Sequence, residues 1–229
     1  LVEHLAAEQV LDLVVLLPRG RARPVVVAEF LHGGGGGGRQ AVELQFGQGT
    51  VAVVEVDVAG ELPPLGEQRL VAFQYAADIW GATLVSDETI RIGAAFLPLS
   101  CDASGAVLGA AGANYVVSDF PAAPIGGTWY PAALAEKIAS TALIPAAEPH
   151  IIARFNSRLG LFPDCVPGLT FYLGLDNQAG DGIDLVTTLL HEIAHGLGFQ
   201  TFTDDATGAQ LQGVPSIWDF YLVDNTRER

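Results

Sequence analysis

"LLHEIAHGLGFQTFTDD", residues 189–205, is the stretch on which the reading of this chain turns. His191 and His195 stand four apart around Glu192, and Gly198 follows three positions after the second histidine. Leu185, Leu189, Ile193 and Leu197 also recur at intervals of four, so the spacing predicts a helix over 185–197 with one apolar stripe turned to a core. Residues i and i+4 of a helix share a face, with Cβ atoms ~5–6 Å apart. Two imidazoles so placed can converge on one ion at ~2.0 Å from each nitrogen, as a zinc site requires. Glu192 emerges about 100° round the helix from His191, given ~3.6 residues per turn. It therefore flanks the ion without ligating it, placed to act as general base on a water that the metal acidifies. The plainer use of these residues is as polar groups on a half-buried helix. Burying His, Glu and His uncompensated on an apolar helix is costly, which favours the zinc reading.

The flanks of this helix carry their own signals. Gly196 and Gly198 end it abruptly and let the chain turn back beneath the histidines. Before it, "DNQAGDGID" is a turn-rich segment in which Asp181 or Asp184 can cap the first turn. The oxygens of Asp176, Asn177, Asp181 and Asp184 could also hold a structural Ca2+. The EF-hand spacing is absent, so capping and turn formation is the preferred use.

Composition bounds the function classes. The chain has 229 residues, 50% hydrophobic and 16% charged, which is ample for a buried core. A formal charge of −15 repels nucleic acid and anionic lipid, so neither is an expected partner. The longest apolar run, "VLDLVVLL" at 10–17, is much shorter than the ~20 residues of a spanning helix and contains Asp12, so no membrane span is expected. Cys101 and Cys165 are far apart, lack C-x-x-C spacing and sit in the turn-like contexts "LSCDASG" and "FPDCVPG". A structural disulfide, and with it a secreted or extracellular location, fits better than a metal or redox site; two free buried thiols are the alternative.

Along the chain, 1–40 reads as an N-terminal extension with a strand at "VVVAEF" and a glycine run, Gly33–Gly38, that suits a flexible loop rather than a phosphate cradle. Residues 41–229 read as the main unit. "TVAVVEVDV" is a strand that Pro63 and Pro64 close, and "LGEQRLVAFQYAADIWGATL" is a helix ending near Gly81. "TIRIGAAFLPL" and "ANYVVSDF" are strands, "PAALAEKIAST" is a helix opened by Pro131, and "HIIARFN" and "LTFYLGL" are short strand-like runs. Strands and helices alternate, so the fold class is α/β: a mixed twisted sheet with helices packed on it.

"HEIAHGLGF" resembles the H-E-x-x-H-x-x-G motif of the metzincin metalloproteases, and His195, Leu197, Gly198 and Phe199 resemble the "HxLGF" of their leishmanolysin-like subset. "LGEQRLVAFQYAADIWGATL" and "PSIWDFYLVDN" are further similar to secreted bacterial metalloproteases with a protease-associated domain inserted after the glycine turn. The likeness runs from about Leu65 to Asn225, strongest at the helix. It implies a zincin-type upper subdomain ending in the active-site helix, zinc as cofactor, His191 and His195 as ligands, Glu192 as catalytic base, and a peptide or protein as substrate.

The resemblance also raises the question of a third ligand. Thr201 stands where most metzincins have a third histidine or aspartate; no histidine follows His195, and the chain has no methionine for a Met-turn. The expectation is that both lie beyond Arg229, that residues after Phe199 are poorly placed against the helix, and that this chain alone is inactive. Within the chain, Asp204, Asp205, Asp219 and Asp224 are the candidate carboxylates. Asp219 as third ligand would make a compact gluzincin- or aspzincin-like hydrolase, against its plainer use as a capping residue beside Trp218 and Phe220. A non-catalytic binding module is a third reading. His4, His32 and His150, upstream and isolated, read as surface or loop residues, and "LTFYLGL" or "HIIARFN" as the sheet edge that would align a substrate.

Overall fold

A computed structural model describes residues 2–4, 25–27, 39–41, 51–57, 63–204 and 206–222. In chain order the strands are β1 (Val2–His4), β2 (Val25–Val27), β3 (Arg39–Ala41), β4 (Val51–Asp57), β5 (Ile90–Leu97), β6 (Gly109–Ala113), β7 (Tyr115–Val117), β8 (Tyr130–Pro131), β9 (Ile151–Asn156), β10 (Phe171–Tyr172) and β11 (Ile183–Asp184). The helices are α1 (Pro63–Thr83), α2 (Ala132–Ala139) and α3 (Leu185–Leu197), with 3-10 turns at Leu211–Gly213 and Ile217–Tyr221. The mixed α/β class read from the sequence is the one observed. The glycine run at 33–38 lies outside the described residues, while Val2–His4, Val25–Val27 and Arg39–Ala41 each pair with strands of the main unit.

The main sheet has the order β2-β4-β5-β9-β6, with β3 also pairing β4. β2, β4, β5 and β9 run parallel, and β6 closes the sheet antiparallel to β9, Gly109 opposite Phe155 and Ala113 opposite Ile151. At Asn114 the chain leaves this sheet and enters a small one, β1-β7-β8. Strand alternation sets the core. Ile90, Ile92, Ala94 and Phe96 of β5 and Ile151, Ala153 and Phe155 of β9 are buried every second position. Phe73 of α1 packs edge-on to Phe96 and Phe155, with ring centroids 6.3 and 5.2 Å away. Leu185, Leu189 and Ile193 of α3 complete the same cluster.

Two prolines that read as a strand stop instead open a helix, because the first turn needs no donated N–H and proline's fixed φ suits it. α1 then continues through Gly81 to Thr83. At its carboxyl half, Trp80 donates its indole N–H to the Leu190 carbonyl at 3.2 Å, tying α1 to α3. Cys101 and Cys165 form a disulfide that joins the loops following β5 and β9, with a sequence separation of 64. Closing a loop of that size stabilises the fold by ~4 kcal/mol in the chain-entropy model. Among the described residues no helix is long and apolar enough to cross a membrane.

Candidate functional site

α3 spans Leu185–Leu197, the range that the apolar spacing predicts. Asp184 caps it by accepting the Thr187 N–H at 2.7 Å, and Gly198 terminates it at φ 126, a conformation that L side chains rarely adopt. Gly196 has a different reason. A Cβ there would lie 2.4 Å from Ile151 Cγ2, so only glycine lets α3 sit this close to β9. The sheet thus fixes the height of the helix, and with it the position of the histidines.

His191 and His195 meet on one face. Their Nε2 atoms are 3.2 Å apart and the rings stand at 90° with centroids 4.8 Å apart. His195 is 2% exposed and Glu192 6%, whereas His191 is half-buried and faces outward. The Phe199 carbonyl lies 2.9 Å from His195 Nδ1, and a carbonyl can only accept. Nδ1 therefore carries the proton and Nε2 a lone pair, which His191 Nε2–H meets. That is the tautomer a metal ligand needs. Two nitrogens bound at ~2.0–2.1 Å in a tetrahedral site lie about 3.3 Å apart, so the observed separation already matches the ligand pair. Among the described residues no third histidine, cysteine or carboxylate joins them in a cluster of metal-ligand size.

Asp219 is committed elsewhere. One carboxylate oxygen accepts the Thr201 hydroxyl in a short hydrogen bond. The other accepts the Thr203 hydroxyl at 3.0 Å and the Ser216 N–H at 2.8 Å, while Ser216 Oγ accepts the Asp219 N–H in a capping box. Thr201 is thus tied to the Ile217–Tyr221 turn. Asp204 accepts the N–H and hydroxyl of Thr207, both at 2.7 Å, and the hydroxyl bond leads the effects that hold its carboxyl below the usual carboxylate range. Asp205 and Asp224 lie outside the described residues, as does His32.

The residues after Phe199, expected to be poorly placed against the helix, pack onto the body of the protein. Phe202 is buried with Trp129 and Val116, Trp129 donates its indole N–H to the Leu211 carbonyl at 3.1 Å, and Trp129 N–H reaches the Pro215 carbonyl at 2.8 Å. Phe202 and the hydrogen bonds of Trp129 hold the returning segment onto the body. The expected sheet edge also moves. "HIIARFN" is β9, paired on both sides, and "LTFYLGL" gives only the two residues of β10. The edge is β6, "GAAGA", a run without β-branched residues that propensity does not flag as a strand.

The oxygen cluster before α3 is used by the protein itself: Asp184 caps α3, and Asp176 accepts the Tyr172 hydroxyl at 2.6 Å and the Gln178 N–H at 3.2 Å. His150, read as a surface or loop residue, is instead 1% exposed. Its Nε2 lies 2.8 Å from Glu136 Oε2 and its Nδ1 accepts the Arg91 N–H at 2.9 Å. Burial alone would raise the Glu136 carboxyl, but bonds from His150 and from the Leu143 and Ile144 N–H groups outweigh it and hold the pKa below its ordinary value. Comparison with protein-family models, with curated proteins and with solved structures finds no match to this chain.

Proposed function

We propose that α3 is the catalytic helix of a secreted zinc-dependent endopeptidase, with His191 and His195 as two metal ligands and Glu192 as general base. The observation that carries this reading is the approach of the two Nε2 atoms to 3.2 Å with Glu192 between them in sequence. A bound zinc supplies Lewis acidity, polarising a carbonyl and acidifying water. The Phe199 carbonyl keeps His195 in the ligating tautomer. Glu192, buried and next to His191 in sequence, accepts the proton of the attacking water and returns it to the leaving amine. β6, whose outer side is unpaired among the described residues, supports a substrate strand laid beside α3. The disulfide is compatible with an oxidising location.

Equilibrium dialysis with zinc, paired with a fluorogenic-peptide assay, tests the roles separately. Glu192→Gln keeps the shape of the side chain but cannot take a proton, so it should retain zinc and lose at least 100-fold in peptide hydrolysis. His191→Ala and His195→Ala should lose the metal itself. Equal zinc loss in all three variants would make Glu192 a ligand and overturn the assignment of roles; zinc retention in His191→Ala would overturn the site.

A further inference from the structure

We infer that the apolar groove at the carboxyl end of α3 binds a small amphiphile with an aliphatic tail and a carboxylate head, and that Lys137 meets the head. The groove encloses about 470 Å3, within the ~300–1,000 Å3 of small-molecule sites. α2 contributes Ala133, Leu134 and Lys137 to it, the turn after α3 contributes Phe199, and the Ile217–Tyr221 turn contributes Trp218. Neither histidine of the pair lines it, nor does Glu192, so it is separate from the site above.

The polar inventory of the groove selects the tail. Tyr130 spends its hydroxyl on Ile125, accepting the N–H at 2.9 Å and donating to the carbonyl at 3.3 Å. Ser86 Oγ accepts the Glu88 N–H at 3.1 Å. A peptide would bring one N–H and one C=O per residue into a groove where the Tyr130 and Ser86 hydroxyls are already engaged and the rest of the lining is almost wholly apolar, and buried polar groups without partners are costly. An alkyl chain brings none. Exposed apolar side chains, Val85 and Tyr221, continue the surface outward along the rim.

Charge selects the head. Lys137 is the only lysine in a chain of formal charge −15, and it stands exposed in the last turn of α2 where the groove opens. The ion pairs of Glu136 with His150 and of Arg158 with Asp164 do not involve it. A single ammonium complements one carboxylate. A phosphate head, with more oxygens to satisfy, calls for a cluster of donors.

Titration calorimetry of the full chain with decanoate and dodecanoate below their micellar concentrations, followed in parallel by tryptophan fluorescence, tests the inference. Binding should be one to one and about fifteenfold tighter for dodecanoate, since each of its two extra methylenes is worth about fourfold when buried. Dodecanol and dodecyltrimethylammonium should bind at least threefold more weakly than dodecanoate. Lys137→Ala should weaken dodecanoate about threefold and leave dodecanol unchanged, as an exposed ion pair permits. Val85→Asp, at an exposed rim position that the fold tolerates, should weaken both. Absence of saturable binding, equal affinity for acid and alcohol, an unchanged Lys137→Ala, or tighter binding of an apolar peptide would each overturn it.

Discussion

The protein holds two close pairs built on buried histidine, His195 with His191 and His150 with Glu136, and they differ in what the second ring nitrogen is left to do. His150 spends both nitrogens inside the protein: Nδ1 accepts the Arg91 N–H and Nε2 donates to Glu136. His195 gives Nδ1 to the Phe199 carbonyl, and its Nε2 meets only another imidazole, that of half-buried His191. An imidazole with both nitrogens committed is a structural bolt. One with a lone pair turned to a half-exposed neighbour keeps its chemistry available. Each pair has a buried carboxylate near it in the chain or in space, Glu136 accepting three donors and Glu192 following His191 directly in sequence.

Glu136→Ala is the harshest test of that contrast. It strands the His150 Nε2–H and the backbone N–H groups of Leu143 and Ile144 in the interior, at ~1–3 kcal/mol each. We expect a loss of about 4 kcal/mol in urea unfolding, larger than that of Glu192→Gln, which keeps the shape of its side chain. A comparable loss in the two variants would erase the distinction between a bolt and a working group.

Acid sharpens the comparison next. The folded-state pKa of Glu136 is depressed below its reference value of 4.5, so the unfolded state binds the proton first. Its stabilisation is fully present above that value and is lost as pH falls through the lower, folded value, with a slope of at most ~1.4 kcal/mol per pH unit for one proton. Unfolding followed from pH 6 to pH 3 should show that slope in the wild type and a shallower one in Glu136→Gln. Identical slopes would mean that other carboxylates carry the acid response.

The smallest expected effect lies at the start of α3. Asp184→Ala removes the acceptor for the Thr187 N–H and should cost ~1 kcal/mol, read as a lowered melting temperature. Zinc affinity should hardly change, because the histidines lie in the later turns, held by Gly196 against β9. A large loss of zinc binding in this variant would show that the pair depends on the whole helix rather than on the sheet beneath it.

Much of this was legible in the sequence where local spacing decides geometry. The i, i+4 rule placed His191 and His195 together, the leucine spacing gave α3 its length, and β-branched runs marked β4, β5 and β9. What escaped was long-range or carried by the backbone. Nothing near His150 in sequence reveals that Glu136 will lie beside it, and the acceptor that orients His195 is a carbonyl, which every residue owns. β6 escaped because "GAAGA" is made of residues that weaken strands elsewhere; here small side chains let the edge strand and α3 approach. Asp219 was readable both as a ligand and as a cap, and only the fold around it shows where its oxygens point.

The bond between Cys101 and Cys165 encircles β6, β7, β8, α2 and β9. Covalently, that stretch is a ring with two tails, one of them carrying α3. A protease that nicks any loop inside the ring opens it into two chains still joined by the disulfide, without releasing a fragment, and neighbouring strands β5 and β9 stay leashed through their adjoining loops. The nick becomes visible as two pieces only after reduction. For a protein proposed to be a secreted endopeptidase, such a topology turns one cut from a loss of mass into a scar.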